Sequence, residues 1–205
     1  MGAIPAYVQQ ALVLPQGVPA GLQLFALYLV DAGVAAPQVK RQALQRAVGH
    51  AVNVWLHATQ GEGGALQHRP GQAPHWPQQP SLQWSLSYAW PVALWGVSTE
   101  MRWGVDIEAL PEIDDAQSAH YAELAHCYLE SDALPMSTLQ GSAGPAAFAA
   151  QWCALEAQLK CAGLALTETV ARSQHWNAGL RSAPITLAAD WNGYAAALAW
   201  RESNA

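Results

Sequence analysis

Positive charge is scarce in this chain: 9 Lys and Arg stand against 15 Asp and Glu in 205 residues, a formal net charge of −6. Lys40 and Lys160 are the only lysines, and no Lys or Arg precedes Lys40. A nucleic-acid partner needs a basic face, so this balance argues against one, and it confines any phosphate-binding role to a few residues. Cysteine is sparse too. Cys127, Cys153 and Cys161 are odd in number and lack a C-x-x-C spacing, which argues against a disulfide framework or zinc site and for reduced, mostly buried thiols. No run approaches the roughly eighteen apolar residues of a membrane span. The first residues lack the basic region and apolar block of a secretory signal, so the expectation is a cytoplasmic protein with no membrane association.

What the chain does have is apolar surface, 52% of its residues, enough to build a core for one large domain or two small halves. Residues 1–21, with Pro5, Pro15 and Pro19, read as an irregular lead-in. Leu22 to Val30 reads as a buried strand, and Leu44, Val48, Val52 and Trp55 place an amphipathic helix over Gln38 to His57. Gly61 to Pro80, with four prolines from Pro70 on, is a loop. Ser81 to Tyr88 and Pro91 to Val97 read as strands joined at Ala89-Trp90. After an acidic turn at Glu112 to Asp115, Ala119 to Leu129 reads as a helix, 131–145 as a loop facing a partner, and Ala146 to Ala162 as a second long helix. Ile185 to Trp191 and Tyr194 to Trp200 flank Asn192-Gly193, a strong short hairpin signal.

Two stretches stand out chemically. In Trp103-Gly104-Val105-Asp106-Ile107-Glu108, strand periodicity sends both carboxylates to one face. In the helix, Phe148, Trp152, Leu155 and Leu159 form an apolar stripe, and Glu156 and Lys160, four apart, lie side by side along its edge. Three carboxylates and one ammonium could then converge. Asp106, Glu108 and Glu156 offer the hard oxygen ligands that magnesium prefers, with positions left for water and a phosphate oxygen. Taken singly, a D-x-E on a strand and an E-x-x-x-K on a helix are more often a solvated edge and a surface ion pair worth a few tenths of a kcal/mol.

The two stretches together, in this order and spacing, resemble the signature of the 4′-phosphopantetheinyl transferases, in the larger, monomeric, two-half form of that family. Trp103 to Glu108 matches its first motif and Trp152 to Lys160 its second, continued by Cys161-Ala162-Gly163-Leu164-Ala165-Leu166 with Ala165 in place of a second glycine. Leu82 to Ser87 occupies the place of a motif whose two serines, Ser85 and Ser87, are kept while Leu86 stands where the family has histidine. His68-Arg69-Pro70 resembles a G-K-P element, and Leu155 stands where a lysine precedes the motif's glutamate.

The resemblance implies an α+β fold built as a pseudo-twofold pair of similar α/β halves, 1–101 and 102–205, with coenzyme A-binding elements in the first and the metal and catalytic motifs in the second. It implies transfer of the phosphopantetheine arm of coenzyme A to a serine of an acyl or peptidyl carrier protein, with Mg²⁺ on Asp106, Glu108 and Glu156. Glu156 would be the general base, Lys160 would stabilise charge, and Lys40, Arg41, Arg46, Arg69, Ser85 and Ser87 would hold the coenzyme. Loss of a charge-assisted hydrogen bond at Leu86 would cost about 1.5–3 kcal/mol, weakening such an enzyme without abolishing it. Other readings stay open. One is a catalytically impaired paralogue that serves as a coenzyme A-binding or protein-interaction module. Another is a metal-independent module, and a third is a glycoside hydrolase using Glu108 and Glu156, which Asp106 and Lys160 disfavour. The 10 tryptophans raise a carbohydrate surface, but most fall in apolar periodic segments and read as core.

Overall fold

The computed structural model describes residues 4–30, 36–61, 67, 76–77, 79–110, 115–129, 144–167 and 174–201. Among the described residues the protein is a mixed α+β structure of two antiparallel sheets and three α-helices. The first sheet contains β1 (Tyr7–Ala11), β2 (Gln23–Leu29), β3 (Gln83–Ala89) and β4 (Val92–Ser98) in the order β1-β2-β4-β3; the second contains β5 (Arg102–Ala109), β6 (Leu180–Pro184) and β7 (Tyr194–Arg201) in the order β5-β7-β6. The helices are α1 (Pro37–Gln60), α2 (Asp115–Tyr128) and α3 (Gly144–Ala162). Among the described residues no helix is long and apolar enough to cross a membrane.

Strand alternation assigns each sheet two faces. Leu27, Leu29, Trp84, Ala93, Trp95 and Val97 turn toward α1 and meet Leu44, Val48, Val52 and Leu56. Leu24, Ala26, Val92 and Leu94 turn the other way, onto Val105, Ile107, Leu198 and Trp200 of the second sheet. The opposite face of that second sheet is nearly bare: Gly104, Ala197 and Ala199 present almost no side chain, and α3 settles there through Cys153, Ala157 and Cys161. A β-carbon at Gly104 would lie 2.3 Å from the Ala157 carbonyl oxygen and 2.6 Å from the Cys161 nitrogen, so only glycine allows this approach. The helix α3 ends where Gly163 enters the left-handed region at φ 72° and Leu164 N–H returns to the Leu159 carbonyl.

The strands β3 and β5 are both sheet edges, and they abut. Serine hydroxyls take the place of a backbone ladder between them. The Val105 N–H donates to Ser85 Oγ at 3.0 Å and the Ile107 N–H to Ser87 Oγ at 3.3 Å, so edge donors that burial would orphan are satisfied. The twenty-residue offset of these pairs makes β3 run alongside β5 in the same direction, with the Trp90 end of β3 level with Glu108.

Two expectations are corrected. The lead-in is not wholly irregular: Tyr7 to Ala11 pairs with β2, from Tyr7 opposite Leu29 to Ala11 opposite Phe25, as a short edge strand whose mixed burial hides its period. Nor does Asn192-Gly193 close a two-residue hairpin. Asn192 is right-handed helical at φ −64°, Ala189–Trp191 forms a 3₁₀ turn, and the partner strand lies earlier, at Leu180–Pro184. The apolar residues Ile185 and Leu187 pack on the inter-sheet core from the connection instead. The expected helix bounds move only at their ends. Of the 61–80 loop, Trp76 is buried in the core beside α1, while Arg69 lies outside the described residues, as do 130–143 and Glu112. All three cysteines are free thiols, Cys153 and Cys161 buried.

Candidate active site

On β5, Gly104, Asp106 and Glu108 alternate with Val105 and Ile107, so the apolar pair enters the inter-sheet core and the acids face α3. The tight seat at Gly104 brings Lys160 down onto this strand. Its ammonium lies 2.6 Å from Asp106 Oδ1, 3.2 Å from the Val105 carbonyl oxygen and 3.3 Å from Ser87 Oγ, three acceptors for three donors. Glu156 Oε2 is 3.9 Å from the same nitrogen, one helical turn away. Asp106 is 1% exposed; Oδ1 also receives the Ser87 hydroxyl at 2.7 Å, and Oδ2 is buried with no hydrogen-bond partner.

Asp106 and Glu156 thus share one lysine in a half-buried space, and Glu108 lies near enough to feel all three charges. Burial pushes Glu108 up to about 7, the charges of Asp106 and Glu156 push the same way, and Lys160 opposes them. Glu156 is raised by burial and by Asp106, while Lys160 and a hydrogen bond from the Trp152 indole pull it back. The Cys153 thiol, beside Asp106 and donating to the Ala195 carbonyl at 3.3 Å, is driven strongly upward by burial and these charges, so it stays protonated.

The raised Glu108 carries a prediction. Folding holds its proton more tightly than the ordinary 4.5, so its contribution to stability is full below 4.5 and is lost as pH rises through about 7. Glu108→Gln is expected to match the wild type in thermal stability at pH 5 and to exceed it increasingly toward pH 8. Melting curves across that range check this; a constant difference at every pH would contradict it.

The donor chemistry suits a hard divalent cation: oxygen ligands, excess negative charge and an orphaned Asp106 Oδ2. The closure around such an ion is not preformed. Among the described residues no group of three His, Cys, Asp or Glu side chains is drawn together closely enough to hold a metal, and the Lys160 ammonium lies between Asp106 and Glu156. Removing that ammonium by Lys160→Met leaves Asp106 buried without its counter-ion. With Lys160 itself one-third exposed, the expected loss is about 2 kcal/mol, below the full range for a buried pair. Adding Asp106→Asn should recover part of it, which a double-mutant cycle measures.

Beside the cluster, between β5, α2 and α3, a cavity of about 190 Å³ is lined by Glu108, Tyr121, Leu124, Phe148 and Trp152. Tyr121 meets Phe148 edge-on at 5.0 Å and Phe148 stacks on Trp152 at 5.6 Å, so the walls are rigid and aromatic.

Of the expected site residues, Asp106, Glu108, Glu156, Lys160 and Ser87 converge. Ser85 lies one step along β3, with its hydroxyl on the Val105 N–H. Lys40 sits 5.5 Å from the centre of the Trp90 ring, and Arg41 is close enough to Tyr88 to lower a hydroxyl that burial pushes up to about 12. Both cations therefore lie by the Tyr88–Trp90 end of β3, on the face of the first sheet that packs against α1, whereas Arg46 is an exposed residue farther along α1. Leu86 packs among the core residues beside α1, and Leu155 in the α2–α3 cluster. Sequence reasoning took Trp152 as part of an apolar stripe and missed its hydrogen bond to Glu156; the i, i+4 spacing was the available signal. Neither the protein-family models nor the curated proteins compared with this chain give a match.

Proposed function

We propose that this chain is a divergent 4′-phosphopantetheinyl transferase that moves the phosphopantetheine arm of coenzyme A onto a serine of an acyl or peptidyl carrier protein, acting as a cytoplasmic monomer. The observation that carries the reading is the convergence of Asp106 and Glu108 on β5 with Glu156 and Lys160 on α3, fifty residues later in the chain. Supporting it, Lys40 and Arg41 of the first half lie by Trp90 and Tyr88, at the end of β3 that is level with Glu108, and could offer charge to anionic groups of the coenzyme. Two antiparallel sheets, each backed by a helix on its outer face, support a pseudo-twofold arrangement divided near residue 101.

In this reading Asp106, Glu108 and Glu156 would hold Mg²⁺, which when bound neutralises the diphosphate. The carboxylate of Glu156, whose basicity burial and Asp106 raise, takes the proton of the carrier serine. The serine oxygen bonds to the β-phosphorus, the bridge to the α-phosphate breaks, and adenosine 3′,5′-bisphosphate leaves with the bond's electron pair. Lys160 contributes fixed positive charge beside that leaving anion and keeps Asp106 in place. The cavity against Phe148 and Trp152 would exclude water from the apolar group beside the reacting atoms.

Incubation with coenzyme A, Mg²⁺ and a panel of apo carrier proteins tests the proposal. The expected result is a carrier mass increased by the phosphopantetheine arm, dependent on Mg²⁺. Absence of both transfer and coenzyme A binding would overturn it. A second reading, an impaired paralogue, draws on Leu86 and Leu155, which bring only apolar side chains packed in core clusters where the family has polar ones. Coenzyme A binding without transfer to any carrier would favour it.

A further inference from the structure

Ser87 belongs to β3, across the junction from the acids, and its hydroxyl is fully committed. A serine hydroxyl has one proton and two lone pairs. Two donors approach its oxygen, the Ile107 N–H at 3.3 Å and the Lys160 ammonium at 3.3 Å. Its own proton therefore goes to the remaining neighbour, Asp106 Oδ1, at 2.7 Å. No valence is left for a coenzyme, so a role in contacting one does not fit this geometry. What the hydroxyl does is hold a carboxylate.

Asp106 is 1% exposed, and its carboxylate is held at Oδ1 by the Ser87 hydroxyl and the Lys160 ammonium, with the Cys153 thiol beside it. Oδ2 is left buried and unpartnered. A carboxylate gripped by one oxygen has its other oxygen directed by that grip, and a cation is the partner that would satisfy it. Lys160 alone cannot set the rotamer, because its flexible stem also follows α3, whereas Ser87 is short, buried and anchored on a strand. We infer that Ser87 is a positioning residue that reaches across the junction of the two sheets to orient Asp106 as a cation ligand. This rests on the reading of the acid cluster as a divalent-cation site. It makes the first sheet, which supplies none of the carboxylates, a determinant of cation affinity.

The test is titration of the full chain with Mn²⁺, followed by its electron paramagnetic resonance signal, for the wild type, Ser87→Ala and Ser87→Thr. Ser87→Ala is expected to bind Mn²⁺ about 10- to 100-fold more weakly, the usual cost of losing an outer-shell orienting group. Ser87→Thr, which keeps the hydroxyl, is expected to restore binding to within a few-fold. A melting temperature taken alongside separates the alternatives: a purely structural serine would lower it in Ser87→Ala and leave Mn²⁺ affinity unchanged, which overturns the inference while the cation site stands. If the wild type itself binds no Mn²⁺, with or without coenzyme A, the cation-site reading fails and this inference fails with it.

Discussion

Replacing Glu156 by glutamine is expected to slow arm transfer by on the order of 10²- to 10⁴-fold, the usual loss on removing a general base, while the protein folds normally. The substitution is isosteric, and the amide oxygen can still accept the Trp152 indole hydrogen bond. It also removes a half-buried negative charge that Asp106 opposes, so the melting temperature should stay level or rise. Mg²⁺-dependent coenzyme A binding should weaken as well, because in this reading Glu156 is a cation ligand as well as the base. In the wild type the rate should climb with pH as Glu156 ionises, through a midpoint above the ordinary carboxylate range, and this limb should vanish in the variant. Steady-state kinetics against pH measure both effects. Full turnover in the Gln variant would remove Glu156 from the role of base.

Gly104→Ala is expected to cost about 3 kcal/mol or more, at the upper end of overpacking, and to lower the melting temperature by roughly 6–12 °C. The reason is the identity of the atoms in the way. The new methyl meets the Ala157 carbonyl oxygen and the Cys161 nitrogen, which are helix backbone and cannot rotate aside as a side chain would. The helix α3 would have to lift, and Lys160, anchored on that helix, would lose its 2.6 Å contact with Asp106. Activity should therefore fall further than stability alone explains. Gly193→Ala is the matched control: nothing lies within 4 Å of its would-be β-carbon, and its melting temperature should stay near that of the wild type. Equal melting temperatures for the two alanine variants would refute the packing argument.

Much of this architecture was legible in the amino-acid order because it follows from periodicity, a local property. The alternation of Val105 and Ile107 with Asp106 and Glu108 put the acids on one face of β5, and the helical spacing of Glu156 and Lys160 put them one turn apart. Both hold in the structure. Where periodicity was weak, the reading failed. β1 is five residues of mixed burial on a sheet edge, and Asn192-Gly193 carried a turn signal that the core overrode, drawing Ile185 and Leu187 inward and moving the partner strand to Leu180–Pro184.

The partners of the polar groups belong to a different class of fact. Nothing local to Leu86-Ser87-Tyr88 states that Ser87 faces a second sheet and takes Asp106 as its acceptor, or that Lys160 has all three donors filled. The amino-acid sequence by itself determined which faces carry acids and which helix carries the lysine. Only the tertiary structure decided which edges abut, and so which hydroxyl reaches which carboxylate. A hydrogen bond needs its partners within about 3 Å, and that separation is set by how two sheets and a helix pack rather than by any spacing along one strand.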